Sequence, residues 1–201
     1  MSQLNEQYPA TFSVDYPEKP LDKLTTFFRI FAVIPIAIIL ALVSGGDNRW
    51  MGAGGLVVAA TALMIVFQQK YPRWWFDWNC QLLAFGSRVA SYFGLLRDKY
   101  PSTDEEQAVH LKLTYPDVKN QLNRWLPLIN WFLAIPHFIV LIFLGIAAFL
   151  CVIAAWFAIL FTGAYPKALF DFVTGVYRWS VRVTAYALLM ATDKYPPFSL
   201  N

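Results

Sequence analysis

YPKALFDFVTGVYRWSVRVTAYALLMATDKYPPFSL, from Tyr165 to Leu200, is the stretch on which the fold turns. A looser copy, YPRWWFDWNCQLLAFGSRVASYFGLLRDKYP, runs from Tyr71 to Pro101. With one residue inserted near its end, Tyr71-Pro72 aligns with Tyr165-Pro166 and Phe76-Asp77 with Phe170-Asp171. Arg88-Val89 then aligns with Arg182-Val183, Tyr92 with Tyr186, and Asp98-Lys99-Tyr100-Pro101 with Asp193-Lys194-Tyr195-Pro196. Agreement this dense at a fixed spacing is the signature of a duplicated structural unit.

The chain around these copies is apolar in long runs. Of its 201 residues 58% are hydrophobic and only 14% charged, against about a quarter charged in an ordinary soluble domain. The class this implies is mainly α and integral to a membrane. A net charge of +3 is too mild to point to nucleic acid as a partner. The polar start, MSQLNEQYPATFSVDYPEKP, has no basic segment before an apolar core, so it does not read as a signal peptide. The first apolar span is then expected to act as the insertion signal.

Four spans are expected, two in each half. Leu24 to Val43 is the first, interrupted by Pro35, and Met51 to Phe67 the second, joined by the polar turn Ser44 to Trp50. Leu126 to Leu144 is the third, with Pro136 in the place of Pro35, and Ile146 to Thr162 the fourth. Pro35 to Pro72 is 37 residues and Pro136 to Pro166 is 30, and the difference, seven, is the length of SGGDNRW. The second hairpin is therefore expected to reverse tightly near Gly145. Small residues at Gly55 and Ala59, and at Ala147, Cys151 and Ala155, mark seams for close helix packing. Phe12, Val14 and Tyr16 alternate with polar neighbours before Pro17, and Val109, Leu111, Leu113 and Tyr115 do so before Pro116. Each half thus opens with a short strand, and the two are expected to share a membrane face and to pair. The division is into residues 1–107 and 108–201, as tandem, parallel repeats.

Arg49 is the one basic residue in a turn opposite the termini. The positive-inside rule places both termini and the central segment in the cytoplasm. Pro72 and Pro166 suit the first turn of a helix. On each such helix the polar residues gather in a narrow stripe, Asp77, Gln81, Arg88 and Ser91 in one and Asp171, Gly175, Arg178 and Arg182 in the other. The rest is aromatic or aliphatic, which fits an amphipathic helix lying in the plane of the interface. The competing arrangement sends these helices across the bilayer, at roughly 2.5–3.5 kcal/mol for each central arginine.

Asp77 with Arg88 and Asp171 with Arg182 are the sharpest polar features. One reading makes them structural charges that keep the stripe wet or fasten it to its mate. The other makes them, with Arg178, Tyr92 and Tyr186, a site for an anionic lipid headgroup. The tyrosines read first as interface anchors. His137 is expected to satisfy the carbonyl freed by Pro136, and Arg29 and Asn130 to sit at the interface. Cys80 and Cys151 read as small apolar residues, with a disulfide or metal pair as the alternative. The chain carries no Gly-x-Ser-x-Gly, His-Glu-x-x-His or phosphate-binding loop. No catalytic residue, cofactor or metal is assigned.

Leu133 to His137, Trp156 to Gly163, Tyr165-Pro166, Phe170-Asp171, Arg178-Trp179, Arg182-Val183, Ala185-Tyr186 and Tyr195 to Leu200 together resemble a bacterial membrane-protein family, domain of unknown function 4389. The likeness is specific over roughly residues 109–200. The first half is looser, departing at Trp74-Trp75 and at Ala84, where the second half has Arg178. The resemblance implies a bacterial inner membrane and adds no mechanism. Three functions are carried forward. The first is a non-enzymatic accessory or scaffold subunit, as a homo-oligomer or with a membrane-protein partner. The second is binding or transfer of lipids or small molecules on the second polar stripe. The third is a lipid-modifying enzyme.

Overall fold

A computed structural model describes residues 8–44, 53–105 and 107–201 of the chain. In order come β1 (Ala10–Val14), α1 (Lys23–Ser44), α2 (Ala53–Leu63) closed by a π-helical turn (Met64–Gln68), and α3 (Arg73–Phe93). Then follow β2 (Val109–Leu113), the short α4 (Val118–Gln121) and α5 (Asn130–Leu133), and the long α6 (Ile135–Thr162) and α7 (Lys167–Ala187). The molecule is mainly helical. The expected turn after Ser44, and the first residues of the expected second span, lie outside the described residues.

Proline and glycine set the ends of the long helices. Pro72 and Pro166 stand just before α3 and α7, and their carbonyls accept the first helical bonds, from Trp75 and Phe76 and from Leu169 and Phe170. Proline loses nothing there, because the first N–H groups of a helix have no partner inside it. Gly163 ends α6 in a left-handed conformation, φ 75°, which a residue without Cβ adopts at no steric cost.

The expected reversal at Gly145 does not occur. Helix α6 runs unbroken through it for 28 residues, about 42 Å at 1.5 Å per residue. The sequence Leu144-Gly145-Ile146 offers no polar group to satisfy a turn's open main chain, whereas a continuous helix pairs those groups internally. Among the described residues two helices, α1 and α6, are long and apolar enough to cross a membrane. The apolar stretch Val58–Gln68 is shorter.

β1 and β2 pair antiparallel, with Phe12 opposite Leu111 and Ala10 opposite Leu113. Their expected pairing is thus present. β1 packs on α7 and β2 on α3, so each strand covers the long helix of the other half. Tyr16 donates its hydroxyl to the Tyr165 carbonyl, and Tyr115 donates to the Tyr71 carbonyl. The closing Tyr of each strand therefore grips the Tyr-Pro that opens the opposite helix. α6 runs back along α7. Near one end His137 meets Trp179, and toward the other Ala155 and Ile159 share a buried cluster with Tyr165, Phe170 and Val173. α1 runs back along α3 in the same manner, with Ile36 against Phe85 and Val89.

The inner stripe of α6, Leu144, Ala148, Cys151, Ala155 and Ile159, packs on this core. It keeps the helical spacing of the expected small-residue seam, with Ala148 buried in place of Ala147. The remainder of the helix is bare: Ile142, Phe143, Ile146, Phe149, Leu150, Phe157 and Phe161 are all exposed. On α1, Leu24, Ile30, Phe31, Ile38 and Leu42 are exposed too.

Gly145 has open space around the position of a Cβ. Gly145→Ala should therefore raise stability, by up to about 1 kcal/mol, in a thermal melt of the detergent-solubilised protein. A chain that reversed there would instead be weakened.

Candidate functional site

The polar stripes expected on α3 and α7 do not stay wet along their length. Asp77 is exposed and pairs with Arg73 one turn before it, at 3.5 Å, and Asp171 pairs with Lys167 in the same way at 3.3 Å. Neither aspartate is paired with the arginine eleven residues on. Arg88 is buried and donates to the carbonyls of Thr103 (3.0 Å) and Glu105 (3.2 Å). Arg182 donates to the carbonyl of Ser199 at 3.3 Å. Arg178 reaches two places at once, the Phe12 carbonyl of β1 at 2.9 Å and the Leu200 carbonyl of the C-terminal tail at 2.8 Å. On α7 the charged stripe is covered by strand and tail, whose carbonyls accept from Arg178 and Arg182. Gly175 belongs to this contact, since a Cβ there would stand 2.9 Å from the Leu200 Cβ.

Tyr92 and Tyr186 are buried inside the molecule rather than placed as interface anchors. Tyr186 instead offers its carbonyl to Asn130 and packs edge-on against Tyr195. Of the expected site residues, the structure brings Arg178 and Arg182 to one cleft of about 560 Å³, with Tyr8, His110, Lys112 and Asn201 around it. Asp171, at the other end of α7, is not part of it, and Asp77 and Arg88 belong to α3.

Three residues read from sequence as interfacial or proline-related are central instead. Arg29 is only 2% exposed. Its guanidinium bonds to the Tyr92 and Arg97 carbonyls and forms an ion pair with Asp98, so it does not rise to the interface. Its ring neighbour is Tyr92, 4.5 Å below the guanidinium carbon. Asn130, 1% exposed, donates to the Tyr186 carbonyl at 3.3 Å. His137 is fully buried, and its Nδ1 accepts from the Trp179 indole at 3.1 Å while the ring stacks on Phe198. It does not serve the carbonyl freed by Pro136. One signal in the sequence did mark the first pair: Arg29 and Asn130 each stand six residues before a proline, Pro35 and Pro136.

Asp98 and Asp193 also act alike. Asp98 accepts the Asp22 N–H at 2.7 Å, and Asp193 accepts the Asn123 N–H. In both cases the helix end just upstream turns through a left-handed residue, Leu95 at φ 61° and Met190 at φ 52°. The difference is charge. Asp98 has the Arg29 cation beside it, whereas Asp193 is set by burial and the Asn123 N–H. Burial pushes the Asp193 carboxyl above the usual carboxylate range, partly offset by the Asn123 N–H.

Cys80 and Cys151 are free thiols. Burial, and then the Asp77 carboxylate, push the Cys80 thiol up to about 12, so at neutral pH it is not the thiolate that nucleophilic chemistry uses. Among the described residues no three His, Cys, Asp or Glu side chains gather as metal ligands.

Residues 127–199 match the model of a family described as a domain of unknown function (DUF4389). This range covers α6, α7 and most of the tail, the region in which the sequence motifs are densest, and begins after β2. Neither a curated protein nor a solved structure matches the chain.

Two outcomes follow from these contacts. Arg29→Met leaves Asp98 without its cation and two carbonyls without donors, and should cost about 3 kcal/mol in a denaturation assay; Lys at this position should restore only part of it. For Asp193 the folded-state pKa lies above the unfolded one. Its contribution is therefore most favourable at low pH and declines as pH rises through the raised value. Asp193→Asn should remove that decline and be the more stable form at neutral pH, as read from melts between about pH 4 and pH 8.

Proposed function

We propose that this protein is a non-enzymatic component of a bacterial inner membrane, an accessory or scaffold subunit that works as a homo-oligomer or with a membrane-protein partner. One observation carries the reading. The inward arginines Arg29, Arg88, Arg178 and Arg182 all donate to main-chain carbonyls of loops, strand or tail. The charged groups that a binding or catalytic site would use are engaged in holding the chain together.

The chain is a tandem duplication on this reading. Support comes from Arg29 and Asn130, from Asp98 and Asp193, from Leu95 and Met190, and from the strand register. Phe12 and Leu111 face each other across β1 and β2 and hold the same place in the two strands, so the halves are related by a two-fold axis through that pair. The axis lies along the membrane normal in the proposed placement.

The outer face of the strand pair carries the exposed residues Ser13 and Lys112, and β1 lies lengthwise on α7. Those polar groups are costly in hydrocarbon. The strands therefore face water, α3 and α7 lie in plane beneath them as amphipathic helices, and the bare faces of α1 and α6 sit in lipid. Helix α6, long enough to cross, lies lengthwise under α7 in this arrangement. The basic residues of the termini and central segment put the strand side in the cytoplasm, next to anionic headgroups.

A second reading has one favourable observation. The Nε of Arg182 is buried without a hydrogen-bond partner, beside the cleft that it shares with Arg178, Lys112 and His110. An anionic headgroup there would complete it.

Native mass spectrometry of the full chain, extracted with its own membrane into polymer discs, decides between these. A defined homo-oligomer or a stoichiometric protein partner is expected. A stable monomer that carries only an anionic lipid, lost with Arg182→Lys, would instead establish the second reading.

A further inference from the structure

A separate cavity lies between α1 and α6, away from the arginine cleft of α7. It has a volume of about 280 Å³, close to the lower end of the roughly 300–1,000 Å³ of small-molecule sites. Ile30 on α1 and Phe149, Val152 and Trp156 on α6 form its apolar walls, and Thr26 and Arg29 line it as well. Ile30 and Phe149 are exposed, so it is open to whatever surrounds the two helices. Trp156 fixes the distance between them by donating its indole N–H to the Thr26 carbonyl at 3.2 Å.

The surface of the slot is almost wholly apolar, and two polar groups lie buried just behind it. Thr26 is fully buried and Arg29 is 2% exposed. The Thr26 hydroxyl and the Arg29 Nε nevertheless have no hydrogen-bond partner among the described residues. Buried donors without acceptors are costly. Apolar walls with a hydroxyl and an N–H just behind them match a hydrocarbon chain that terminates in oxygen acceptors, which would reach the two donors by a small shift of the wall.

We propose that this slot holds one acyl chain of a membrane amphiphile, with the carbonyl or carboxylate oxygen at its head meeting Thr26 and Arg29. The site rests on the lipid placement of α1 and α6 but is independent of any oligomer or partner. The chain would brace α1 against α6 at the point where the two halves of the molecule meet. Arg29 keeps its ion pair with Asp98, and its Nε is the donor left for the ligand. A free fatty acid and a phospholipid share this chemistry.

The test is to purify the full chain from its own membrane, exchange it into a mild detergent, and measure retained lipid by native mass spectrometry. One acyl amphiphile per chain is expected, its mass telling fatty acid from phospholipid. Val152→Trp and Ile30→Trp fill the slot from opposite walls and should each abolish retention, while Phe143→Trp, on the same helix but not lining the slot, should not. Two filling variants keep the test decisive if one fails to fold. Thr26→Val separates binding from structure: it removes an unpaired buried hydroxyl, so the melt should hold or rise while retention falls. A wild-type chain without lipid, or retention equal in the folded filling variants and Phe143→Trp, overturns the proposal, whatever the oligomeric state.

Discussion

The pairing of β1 with β2 is the constraint on which the rest of the molecule depends. Two five-residue strands are marginal on their own. Here each is fastened at its end by a tyrosine that reaches across to the Tyr-Pro before the other half's long helix. β1 is held again by Arg178 at Phe12. Because the strands are exchanged between halves, neither α3 nor α7 has its covering without the other half present. That interdependence explains why the arginines point inward: each one ties a piece of irregular chain to a helix that would otherwise expose charge.

The same constraint gives the proposed membrane placement its direction. A strand lying lengthwise on α7, with polar residues outward, marks one side of α7 as wet. The other side carries α6, whose outward residues are almost all large and apolar. A soluble surface rarely carries an apolar patch of this extent, whereas lipid covers it without cost. On this account α3 and α7 form a middle layer with polar groups on one side and hydrocarbon on the other. Their arginines donate to carbonyls from above, with the Nε of Arg88 and of Arg182 left over.

Several elements were legible in the sequence because local chemistry decides them. The span read as Leu24 to Val43 is α1, Lys23–Ser44. The alternating strands and the helix starts after Pro72 and Pro166 follow from period and proline alone. The continuity of α6 was not legible, since an apolar run of that length serves equally as a hairpin or as one helix, and the ~30 Å bilayer thickness favoured the hairpin only if the run crosses. The stripe on α7 was read correctly as polar, but periodicity cannot say whether a polar face meets water or is covered by the chain's own tail. Arg29, Asn130 and His137 were misplaced for a related reason: near the start of an apolar run the sequence offers only the interface, as for Arg29 and Asn130, or a local carbonyl, as for His137, and what buries them comes from more than forty residues away.

The central claim is that α6 lies along the membrane beneath α7. Nitroxide labels at Ile142, Phe149 and Phe157, one at a time in the full chain in liposomes, would report depth through their relative access to oxygen and to a water-soluble paramagnetic reagent. The account predicts similar depths at all three, because the outward face of a lengthwise helix stays at one level. A clear maximum of depth at Phe149, falling off toward both ends, would show that α6 crosses the bilayer and would contradict it.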